Sequence, residues 1–242
     1  TSQMFVTVGV MEVSGGSTVT ANDYTQIGVT GNSTLTIASS QMESKGQAQI
    51  LGLTGTSSVT VSGGTGSWTI ADKLTIGIGQ GGTNNLTVVD GGTVAVTNGI
   101  SVDEYSAIRL GTGGQAGTLT AASIDSAGSI EANFTGSLSL DMPISGTGTL
   151  AKSGSGTLTL SGANTYTGAT AVSGGTLQVE GSLGNTAVSI ASGATLGGSG
   201  SIGGTVTVLD GGNLNPGSSP GTLTVGSLVL NDSSLLNFEL DT

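Results

Sequence analysis

The sequence contains no cysteine and no histidine. Without Cys there are no disulfides and no thiolate metal sites, so stability has to come from stacking rather than cross-linking. Without His, the commonest metal ligand and the usual general base are both missing. Lys and Arg number 4 against 15 Asp and Glu, a net charge of −11 with no basic cluster anywhere. Nucleic acid and anionic membrane surfaces both require such a cluster, so neither is an expected partner. Aromatic residues make up 3% of the 242 and charged residues 8%, a poor composition for a compact globule. No apolar run approaches the ~18 residues of a membrane-spanning helix. The start, Thr1-Ser-Gln-Met-Phe-Val, lacks the basic opening and cleavage site of a signal peptide, and the chain reads as a piece of a longer protein.

What the chain does have is 45 Gly and an apolar fraction of 35%, mostly Val, Leu, Ile and Ala set singly at every second position. Gly156-Thr-Leu-Thr-Leu160 and Gly175-Thr-Leu-Gln-Val179 are two statements of one phrase, and each alternates apolar with polar residues as a strand with one buried and one wet face must. Similar phrases bring Leu35 with Ile37, Val59 with Val61, Leu86 with Val88, and Val94 with Val96 onto one side. Leu158, Leu177, Leu196 and Leu214 follow one another at steps of 19, 19 and 18 residues. No 3.6-residue apolar period is sustained for three turns, so no helix is expected. A repeat of about 20 residues made of short strands and Gly turns predicts a solenoid, because one coil cannot bury its apolar face without a neighbour. Roughly a dozen coils ~4.8 Å apart would form a rod on the order of 55–60 Å long. Residues 1–145 read as irregular coils and 146–242 as regular coils of the same structure, with Pro143, Pro216 and Pro220 outside the alternating runs.

The stretch Ser153 to Gly181 resembles the passenger-associated repeat of bacterial autotransporters. The likeness runs through Gly154 to Leu160, Gly162, Asn164 to Tyr166, Gly168, Thr170, Val172 and Gly174 to Val179. It is close over residues 146–242 and general before that. The resemblance implies an all-β, right-handed, single-stranded parallel β-helix, exported across a Gram-negative outer membrane and displayed on the cell surface. In such proteins a membrane β-barrel follows the passenger, and this chain would be a fragment preceding it.

Several motifs match on paper. Gly77-Ile-Gly-Gln-Gly-Gly82 fits the dinucleotide fingerprint, but Thr-Asn-Asn-Leu follows where a helix must begin. Gly217-Ser-Ser-Pro-Gly221 fits a nucleophile elbow at Ser219, yet there is no His to accept the proton. Gly63-Gly-Thr-Gly-Ser-Trp68 and Gly197-Gly-Ser-Gly-Ser-Ile202 begin like calcium nonapeptides but carry Trp and Ile at the carboxylate position. No catalytic, cofactor-binding or metal-ligating residue is therefore assigned. The acidic group Asp103, Glu104, Asp125 and Glu131 with Tyr105 and Arg109 would support carboxylate chemistry on a sugar if stacking gathered it, and otherwise reads as solvated turns. Trp68 reads as a cap on a thin core, with a sugar-stacking platform as the alternative, and Tyr166 as packing between coils. The pairs Thr157/Thr159, Thr205/Thr207 and Thr222/Thr224 are expected to line up in hydroxyl ladders, interrupted by Ala95, Gln178 and Gly197.

These observations lead to a non-enzymatic, surface-displayed adhesin or self-association rod. Its expected partners are surface proteins, glycans or a second copy of itself. A carboxylate-dependent carbohydrate-active or glycan-binding β-helix is the alternative, and a passive spacer a further one.

Overall fold

The computed structural model describes residues 2–217 and 221–237. Among them there is no helix, and every ladder between strands is parallel. The chain winds as a β-solenoid of about 10 turns with about 22 residues per turn. The expected coil of about 20 residues is borne out, and the early coils are longer than the late ones. The register explains the difference: Leu86 lies on Val59, 27 positions on, whereas Val188 lies on Thr170, only 18 positions on. The long early coils hold their extra residues in corners such as Gly77–Gly82, where the one apolar residue, Ile78, is 50% exposed and does not mark the inward phase.

Each coil visits three faces in the same order. The first face is a seven-stranded sheet from Met4–Val6 to Ile144–Ser145. The second begins at Gly9–Val13 and runs to Ser201–Val208 and Thr224–Leu230. The third consists of a five-stranded sheet from Thr18–Ala21 to Thr118–Thr120 and a six-stranded one from Ser137–Leu140 to Leu235–Leu236, touching end to end.

Stacking in register builds the core. Leu158, Leu177, Leu196 and Leu214 form one column and Leu35, Val59, Leu86 and Ile108 another, all buried. Because only one side of each strand faces inward, the buried and exposed residues alternate, as in Ser137–Leu140 and Thr149–Ser153. Glycines turn the corners where a side chain would collide with the coil below. At Gly28, φ is +79°, and a Cβ would overlap the Ser57 hydroxyl; at Gly82 it would overlap the carbonyl oxygen of Gly52.

Three sequence expectations need correction. Trp68 is wholly buried, inside the core rather than capping it; its indole N–H donates to Ser44 Oγ at 3.0 Å, which closes on Thr25 Oγ1 at 2.6 Å. This polar contact inside the rod is what lets so large a ring be enclosed. Pro216 ends the strand Asn213–Pro216 instead of lying outside it, and Gly217 turns away with φ +88°. The lost amide costs little at a strand end. The three Thr pairs do not share one ladder, since Thr157 and Thr159 lie on the third face, Thr205 and Thr207 on the second, and Thr224 stacks on Ser201. Would-be Ser219, Pro220 and the turn around them lie outside the described residues, as does Phe238.

Candidate functional site

The third face carries a continuous polar surface along the rod. Two outward columns alternate with the buried column between them. One runs from Thr18 through Ser67, Thr93 and Thr118 to Ser137, Thr157, Thr176, Thr195 and Asn213. The other runs from Thr20 through Thr69, Ala95 and Thr120 to Thr159, Gln178, Gly197 and Asn215. Ala95, Gln178 and Gly197 do interrupt the Thr ladder, as the sequence indicates. Glu43 is the single charge in these two columns. The hydroxyls line up because Thr and Ser recur at the same phase of each coil. Where the two sheets of this face meet, Thr118, Thr120, Ser139, Asp141 and Pro143 border a hollow of about 440 Å³.

The acidic group is only partly assembled. Asp125 stacks between Ser101 and Ser145 on the first face, while Glu131 stacks on Arg109 on the second, so the two carboxylates are on different walls. Arg109 Nε donates to Glu131 Oε2 at 2.9 Å, and Ser129 Oγ donates to Glu131 Oε1 at 3.1 Å. Asp103 is committed to structure: it accepts the Gly79 amide at 2.6 Å, the Tyr105 amide at 3.2 Å and the Ser106 hydroxyl at 2.5 Å. It thereby ties the glycine-rich corner, the false dinucleotide motif, to the turn of the next coil. Glu104 and Tyr105, carried by that turn, overlook Arg109 and Glu131 across a groove of about 330 Å³.

Asn164, Tyr166 and Thr170 of the repeat motif point inward. Asn164 Oδ1 accepts the Ile144 amide at 3.0 Å, and its Nδ2 donates to the carbonyls of Gly162 and Ser182 at 3.0 and 3.1 Å. Tyr166, buried as expected between coils, hydrogen-bonds Thr170 Oγ1 at 2.6 Å; burial raises its phenol to about 12, partly offset by that bond. These residues specify the coil and leave nothing for a ligand.

Sequence reasoning passed over Lys152. It lies inside the core, with no carboxylate partner among the described residues. Its ammonium donates to the carbonyls of Ser153, Gly154 and Gly174 at 2.7, 3.0 and 3.1 Å and lies 5.1 Å from the centre of the Phe134 ring. Burial lowers it to about 8. The signal was present: Lys152 shares the phase of Leu150.

Residues 150–179 match the family described as passenger-associated-transport-repeat. The repeat and the β-solenoid together fit an autotransporter passenger domain with repeats, and such a repeat implies a secreted passenger at the cell surface. No curated protein and no solved structure gives a match.

Proposed function

We propose that this passenger acts as a non-enzymatic rod for adhesion or self-association. The observation that carries the reading is the hydroxyl- and amide-bearing third face, which repeats the same chemistry from coil to coil with one charge in its two columns. Hydroxyls in register donate and accept equally well, so many weak contacts add along the rod without a dedicated pocket. The expected partners are surface proteins, glycans or a second copy of the chain. The buried motif residues favour the same reading, since Asn164 and Tyr166 serve the scaffold. Display at an outer membrane through a downstream barrel belongs to this proposal.

Cells displaying the chain should sediment or attach faster than cells lacking it. Placing Asp at Thr93, Thr157 and Thr176 adds charge to the face without touching the core. That variant should abolish the effect while remaining displayed in equal amount. Unchanged sedimentation and attachment in the displayed variant would refute the role of this face.

A further inference from the structure

Among the described residues the second face bears a single ion pair, and the groove beside it is pre-formed. We propose that the groove between the Asp103–Ser106 turn and the Arg109–Glu131 pair binds one unit of a neutral, hydroxyl-rich glycan. It goes beyond the adhesive reading above: it concerns a different face and stands or falls separately from it.

The volume, about 330 Å³, lies at the lower end of small-ligand sites. Tyr105 is 50% exposed on its rim, a flat ring with a polar tip in a chain where aromatics are scarce. Its backbone is fixed in advance, because Asp103 accepts hydrogen bonds from the Tyr105 amide, the Ser106 hydroxyl and the Gly79 amide. A ligand therefore meets an ordered turn and does not have to order it. Arg109 is held by Glu131 through Nε, and its terminal nitrogens make no hydrogen bond among the described residues.

Asn85 supplies the independent observation. It lines the groove, is only 7% exposed, and its buried Oδ1 has no hydrogen-bond partner. Buried side-chain oxygens are nearly always satisfied in native proteins. The oxygen is sealed in the free chain, and a ligand hydroxyl would supply the donor it lacks once the side chain turns toward the groove.

Chemistry selects the ligand class. The groove presents carboxylates, an amide and a guanidinium around one ring, a mixture suited to groups that both donate and accept. Its aliphatic lining consists of Ala107 and Ala127, too small to anchor a peptide's apolar side chain. Glu104, Arg109 and Glu131 leave the site with one net negative charge on a chain of −11. Sulfated, phosphorylated or sialylated sugars would be repelled.

The test is binding of the 242-residue chain to an array of immobilised neutral, sialylated and sulfated glycans. Tyr105→Ala and Asn85→Ala are assayed alongside, with thermal unfolding as the check on folding. Retention on neutral glycans is expected, weakened at least tenfold by Tyr105→Ala at unchanged melting temperature. Asn85→Ala should weaken it similarly while melting no lower than the parent, since the unpartnered oxygen is gone. Retention by no glycan, preference for charged glycans, or binding indifferent to both substitutions would overturn the proposal. Cell sedimentation reports separately on the third face. Cells that clump while no glycan is retained refute the groove alone, and glycan binding by cells whose clumping ignores the Asp substitutions refutes the third-face reading alone.

Discussion

Lys152 shows how one side chain can be governed by phase rather than by its charge. In Thr149–Ser153, Leu150 and Lys152 face inward, and the ammonium is held there by three carbonyls and the Phe134 ring. Lys152→Met should lower stability by about 1–3 kcal/mol in urea unfolding at pH 7, because buried carbonyls lose their donor. Its titration adds a pH signature. The native group loses its proton near 8, whereas the unfolded one keeps it to 10.5. Between these values the unfolded state binds more protons, so stability should rise with pH. Lys152→Met should abolish that rise. Tyr166 acts oppositely and later: its folded value of about 12 exceeds the unfolded 10.0, so its contribution is intact below pH 10 and is lost as pH climbs toward 12. Measurement from pH 7 to 9.5 isolates the lysine.

At the scale of strands and coils, the leucine column of the repeat was legible because Leu158, Leu177, Leu196 and Leu214 carry one phase at nearly equal steps. Leu177→Ala should cost about 2–5 kcal/mol in chemical unfolding, the range for emptying a core site that cannot collapse. Gly175 works at the corner before it, with φ +62° and no room for a Cβ against the Gly156 carbonyl. The Thr pairs show the limit of such reading. Alternation tells inward from outward but is identical on all three faces, so Thr157 and Thr205 look alike in sequence and end on different walls. Coil length varies early in the chain for a related reason: the corner at Gly77–Gly82 adds residues whose one apolar side chain, Ile78, faces outward and sets no inward phase. The Asp103 ties and the partial assembly of the acidic group depend on which corners become neighbours, which the order of residues alone does not specify. Lys152 was readable from phase and was obscured by the habit of assigning charge to solvent.

For the molecule as a whole, each coil contacts its neighbours and little else, so perturbations should stay local. Leu86→Ala should speed amide hydrogen exchange in the strands stacked on it, Thr56–Ser62 and Ala107–Leu110, and leave Thr176–Val179 and Thr195–Gly198 unchanged. A uniform increase along the chain would mean that the rod unfolds as one cooperative unit. The Asp103–Gly79 bond links two successive coils and follows the same neighbour-only rule.

The third face has a consequence for how a bound rod would behave. Rungs of like chemistry recur at ~4.8 Å, so a partner shifted by one rung meets nearly the same donors and acceptors and forfeits only the contact at the end. Such an interface has many nearly equivalent alignments instead of one docking pose. Its grip would scale with overlap, like two combs meshed at any offset, and it could slide under load before letting go.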